Sequence, residues 1–140
     1  MNRHDLIDYR NNLEYLDKKF NDIMVRRERL YKITPTYEES AHSSSAIQDK
    51  FAQELAKIID EETDYLKEVK QKMLYLREVE NTLNQLENKM YRNILYYLYI
   101  SEKRYNLTQV ANMIDREYKH TCKLHGEALN EFDKICDNHD

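Results

Sequence analysis

The sequence predicts an all-α protein, a long N-terminal helical hairpin or coiled coil followed by a C-terminal unit of shorter helices, and two observations carry that class. The first is a shortage of turn formers: 1 Gly and 1 Pro in 140 residues leave almost nothing for tight turns, β-hairpins or Gly-rich phosphate loops. The second is periodicity, because apolar residues recur at spacings of three and four along most of the chain, as they do on one face of a helix. At 17.1 kDa there is room for one ordinary domain or two small ones, which excludes a large modular enzyme.

The first element follows from Leu6, Tyr9, Leu13, Leu16, Phe20, Ile23 and Leu30, a heptad seam broken only at Arg27. It predicts one amphipathic helix from Asn2 to about Tyr31, roughly 45 Å long at about 1.5 Å per residue. A loop is expected at about 33–45, where Pro35 disfavours helix at Thr34 and Ser40, Ser43, Ser44 and Ser45 compete for backbone hydrogen bonds. Helix resumes near Ser45, an N-cap with Gln48 as its capping-box partner. The second seam runs Ile47, Phe51, Leu55, Ile58, Tyr65 or Leu66, Val69, Met73, Leu76, Leu83 and Leu86. Two such helices fold back on each other, and apolar surface left over favours a homodimer, with Leu6, Leu13, Leu16, Phe20, Ile23 and Leu30 as the hairpin or dimer seam. Asn81, Asn84 and Asn88 are poor mid-helix residues, so a break is placed near Glu87 or Asn88 and the chain divides into 1–86 and 87–140.

Met90–Ile100 is too apolar and aromatic for a solvated arm and is expected to be the central core helix of the C-terminal part. A short helix follows, with Thr108 as its cap and Val110, Ala111 and Ile114 facing inward; the small Ala111 admits a close, steep crossing. Asp115-Arg116-Glu117 makes a polar turn, and a second helix begins near Tyr118. Thr121, Leu124, Ala128, Phe132 and Ile135 form its buried stripe, while Lys119, Cys122, Lys123 and Gly126 lie opposite, flanked by Tyr118 and His120. A cationic, small-residued outer face of this kind suits insertion into a DNA major groove. The chain as a whole carries −4, yet residues 103–125 carry a local +3.

Tyr91–Ile100, then Leu107-Thr-Gln-Val-Ala-Asn-Met-Ile114, then Lys123-Leu-His-Gly-Glu-Ala-Leu-Asn-Glu-Phe132 resembles region 4 of sigma factors. It is more closely similar to the sigma-like phage transcriptional regulators of Gram-positive bacteria, whose late-gene activators carry a coiled N-terminal part before such a unit. The resemblance covers about 90–132 and implies a helix-turn-helix whose second helix reads double-stranded promoter DNA. The matching positions are Tyr118, Lys119, His120, Cys122 and Lys123, with Arg116 beside them in the turn. It further implies recruitment of host RNA polymerase, late-gene activation, a regulatory protein as a further partner, and residence in the cytoplasm of a bacterial host. Two positions depart from the pattern: Asp115 replaces the common turn glycine and Glu117 the usual serine cap. Asp tolerates a left-handed turn and Glu suits a helix N-terminus, so the fold is expected to survive, while both carboxylates repel a phosphate backbone.

Other classes have less support. Residues 1–10 lack an apolar signal core and no 18-residue apolar run occurs, so neither a secretory signal nor a membrane span is expected. Cys122 and Cys136 are then reduced thiols. The array Cys122, His125, Cys136, His139 invites zinc, but on one continuous helix its two halves lie about 21 Å apart, so no metal is expected. Asp60, Glu61, Glu62 and Asp64 alternate with Lys57 and Lys67 as solvated helix pairs do, and no catalytic residue or cofactor is expected. The alternative function is a coiled-coil interaction factor that binds RNA polymerase or another regulator without reading DNA itself.

Overall fold

A computed structural model describes residues 1–39 and 45–139, and among them every regular element is helical. Helices α1 (Arg3–Ile7), α2 (Tyr9–Glu39), α3 (Ser45–Asn84) and α4 (Lys89–Leu95) are followed by a π-helical turn (Tyr96–Ile100), then α5 (Leu107–Met113) and α6 (Tyr118–His139). The contacts divide the chain into two units, Met1–Leu13 with Met73–Asp140, and Glu14–Lys72. A boundary drawn after Leu86 therefore falls inside the first of these. The reason is that Leu6 and Tyr9, the first two residues of the N-terminal heptad series, are buried in a core with Leu76, Val79, Leu83, Leu86, Leu95, Leu129 and Phe132.

In the Glu14–Lys72 unit, α2 and α3 run antiparallel, each step forward on one meeting a step back on the other. Arg26 pairs with Glu61, Arg27 with Glu62 at 2.8 Å and Lys19 with Glu68, while Lys72 lies 4.7 Å from the Tyr15 ring centre. The acidic run of α3 thus serves cross-helix pairing more than the expected pairing along its own helix. Of the expected seam residues, Leu16, Ile23, Leu30 and Ile58 are buried, whereas Leu13, Phe20 and Leu55 are exposed. Helix α2 continues through Pro35 to Glu39, so the first part of the expected 33–45 loop is helical. A proline forfeits one backbone bond and disfavours helix mainly at the residue before it, which a long helix can absorb near its end. The rest of that loop, at 40–44, and the Ser45 side chain with its expected capping box lie outside the described residues.

In the other unit, α1 starts at a capping box in which the Asn2 side chain accepts from the His4 N–H at 2.9 Å and Asp5 accepts from the Asn2 N–H at 2.8 Å. Asp8 interrupts the expected continuous first helix. Arg3 then ties α1 to α6 by donating to Asp133 at 2.6 Å and to Asn130 at 2.7 Å. Helix α3 ends at Asn84, and Asn88 caps α4 by accepting from the Met90 and Tyr91 N–H groups at 2.9 and 3.3 Å, where the asparagine-rich stretch predicts a break. Ile94 and Leu95 are fully buried, as expected of a core helix. Past Leu95 the helix widens into the π-turn, closed by the Ser101 N–H on the Tyr96 carbonyl at 2.9 Å.

Candidate nucleic-acid interface

Helix α5 begins two residues earlier than expected. Asn106, not Thr108, is the cap: its side chain accepts from the Gln109 N–H at 2.8 Å, and Gln109 returns a bond from the Asn106 N–H at 2.9 Å. Asn is as good a cap as Thr, and the reciprocal glutamine decides between them. Val110 and Ala111 are buried as expected, and Ile114 is half-buried.

The turn resolves the glycine substitution. Asp115 adopts φ 56°, the left-handed conformation that glycine would otherwise supply. The Asp115 N–H reaches the Asn112 carbonyl at 3.3 Å and the Arg116 N–H reaches the Ala111 carbonyl at 3.0 Å, the paired bonds of a Schellman motif. The end of α5 is thereby satisfied from within, and the chain is turned into α6. At the start of α6 the fully buried Thr121 donates through its hydroxyl to the Glu117 carbonyl at 2.9 Å, which locks the first turn.

Thr121, Ala128 and Phe132 are inaccessible, and Leu129 and Cys136 join them in the core, while Leu124 and Ile135 are only half-buried. The buried stripe of α6 is therefore rotated from the expected one, toward the side on which Leu6 and Leu95 pack. Lys119 and Lys123 lie opposite it and are exposed, as are Arg116, Tyr118 and His120. The six proposed contact residues are not equivalent. Arg116 donates to the Asp115 carbonyl at 3.1 Å, and Lys123 lies 4.0 Å from Glu127, a loose helix-surface pair. Cys122 is half-buried one helical turn from Tyr118, and this neighbour pushes the phenol above its usual range. Gly126 has open space where a Cβ would stand, so it leaves a shallow place on this side of the helix.

Of the residues in the zinc-like array, Cys136 belongs to the core and His125 accepts or donates a 2.7 Å bond with the Tyr99 hydroxyl; both thiols are free. Burial lowers the His125 pKa, and the nearby Arg3 charge lowers it further. Because the folded imidazole resists protonation, its contribution to stability is complete above about pH 6.5, the unfolded value, and is lost as pH falls below it. Wild-type melting temperature should drop between pH 7.5 and 5.5. His125→Gln should melt lower at pH 7.5 yet show a flatter profile over that interval; an unchanged slope in thermal melts would remove His125 as the cause.

Two features escape the sequence. Arg10 donates from its guanidinium to the carbonyls of Leu98 at 2.8 Å, Tyr97 at 3.2 Å, Ser101 at 2.8 Å and Lys103 at 3.1 Å, stitching the π-turn and the segment leading to α5. The Lys103 ammonium stands 5.5 Å from the Tyr105 ring centre, whose edge meets Tyr97. Neither arrangement has a periodic signature. No helix among the described residues is long and apolar enough to cross a membrane. Comparison with known proteins finds no matching family model, no matching curated protein and no matching solved structure.

Proposed function

We propose that the chain is a phage-type DNA-binding transcriptional regulator, in which α5, the Asp115 turn and α6 act as a helix-turn-helix and α6 lies in the major groove of promoter DNA. The single observation carrying this reading is the division of α6 into two faces. Thr121, Ala128 and Phe132 hold it in the core while Lys119 and Lys123 project from the opposite side without being needed for packing. The resemblance of 90–132 to sigma region 4 supports it. Arg116, Tyr118 and His120 flank the same helix N-terminus, where phosphate contacts set register, and Cys122 lies on the first turns of the same helix. Recruitment of host RNA polymerase and activation of late genes complete the reading, which involves no catalytic step and places the protein in the host cytoplasm.

Asp115, Glu117 and Glu127 beside the lysines favour a second reading, a surface for RNA polymerase or a regulatory protein in place of DNA. The double change Lys119→Ala with Lys123→Ala separates the two. Exposed lysines contribute little to stability, so the melting temperature should stay near wild type. In gel shifts on its own promoter DNA, affinity should fall and the salt slope become shallower by about one to two units, as for lost phosphate contacts. Unaltered DNA binding together with lost activation in the presence of polymerase would select the second reading.

A further inference from the structure

The Glu14–Lys72 unit leaves a second apolar stripe on each of its helices, beside the seam that joins them. On α3, Ile59 and Leu66 are 50% and 66% exposed, one heptad apart, with Leu55 at 37%; on α2, Phe20 and Met24 are 47% and 41% exposed. At about 100° per residue these side chains lie roughly 40–100° round their helices from the buried Leu16 and Ile58, in the same rotational sense on both. In an antiparallel pair, equal senses of rotation bring both stripes to one side. The hairpin therefore presents a broad apolar face.

We propose that a second copy of this chain covers that face, packed antiparallel so that α3 crosses α3 of the other copy near Leu66 and the two hairpins make a four-helix bundle. Two observations select this occupant. Along α3 the outer flank of the stripe is acidic on the N-terminal side of Leu66, at Asp60, and basic on its C-terminal side, at Lys67 and Lys70. All three are exposed. An antiparallel copy sets Asp60 of each chain against Lys70 of the other, whereas a parallel one opposes like charges. The size also fits: two helices of about 30 residues at about 1.5 Å rise and about 10 Å separation present a face of roughly 900 Å², close to the ~800 Å² per partner of a stable interface. The assignment concerns the hairpin alone and stands whether or not α6 reads DNA.

Sedimentation equilibrium of the full chain at tens of micromolar should give twice 17.1 kDa. Leu66→Glu and Ile59→Glu, each altering a residue exposed in the protomer, should preserve helicity by circular dichroism and weaken self-association at least 100-fold. Asp60→Lys should weaken it several-fold, and adding Lys70→Asp to that variant should restore it. A wild-type monomer overturns the proposal, as does a dimer indifferent to both glutamates. Failure of Lys70→Asp to restore association overturns the antiparallel arrangement.

Discussion

Arg10→Ala is expected to destabilise the unit built from Met1–Leu13 and Met73–Asp140 by about 2–3 kcal/mol, the upper range for hydrogen bonds made by a charged group. The guanidinium donates to four backbone carbonyls and to the Ser101 hydroxyl, 3.1 Å away. A π-turn leaves its last carbonyls without helical partners, so their remaining donors must come from elsewhere. Here most come from a side chain nearly ninety residues upstream, and the Ser101 hydroxyl adds a donor to the Tyr97 carbonyl at 3.0 Å and to that of Lys103 at 2.8 Å. Burial lowers the Arg10 pKa and Arg104 adds to this, which shows that the charge is held at some cost and is offset by these bonds. Water can replace part of the network, because Arg10 is half-buried and not sealed. For a unit of this size the loss corresponds to a fall in melting temperature on the order of 15 °C. Arg10→Lys should recover only a small part, since one ammonium cannot fork across carbonyls spread from Tyr97 to Lys103. Hydrogen exchange should accelerate at Ser101 and in α5. A variant melting within 2–3 °C of wild type would show that the π-turn holds without its staple.

The all-helical class was legible because the signals behind it are redundant: periodicity, the shortage of glycine and proline, and the asparagine break all agree. The Asp115 turn was legible for a different reason, since few residues other than glycine accept a left-handed conformation, and an Asp at the end of a short apolar helix is one of them. What stayed hidden is partner identity. Tyr9 and Leu16 occupy equivalent heptad positions, yet one packs in the core around Phe132 and the other in the hairpin unit. A heptad specifies that a side chain is buried and carries no information about what buries it. The same ambiguity explains the rotated stripe of α6, where Leu124 and Leu129 are equally apolar in sequence and only the placement of α1 and α4 decides which is enclosed. Among the candidate contact residues, the exposure of Lys119 and Lys123 followed from angle alone. The Asn106 cap depended on side-chain competition that spacing does not rank.

Phe132→Ala carries the other large expected effect, about 3–5 kcal/mol, the usual cost of truncating an enclosed aromatic ring. Phe132 is 0% exposed and stands in one core with Leu6 of α1, Leu76, Val79 and Leu83 of α3, Leu95 of α4 and Cys136 of α6. Three other helices thus share one core with this ring, and the cavity it leaves cannot be closed by moving any one of them. Leu124→Ala removes half as many heavy atoms, and from a half-buried position, so it should cost about 1–2 kcal/mol, in proportion to the apolar area it shields. The observed rotation of α6 is tested by Leu129→Ala against Leu124→Ala, which remove the same atoms: the buried stripe through Leu129 requires the Leu129 variant to be the weaker by at least 1 kcal/mol in urea titrations. Because Leu6 packs in the same core, amide exchange in α1 should quicken in Phe132→Ala and stay near wild type in Leu124→Ala. Equal destabilisation by Leu129→Ala and Leu124→Ala would place Leu124, and with it the stripe expected from the sequence, at the centre of the core. Lys119 and Lys123 lie opposite either stripe, so the DNA-reading proposal does not turn on this outcome.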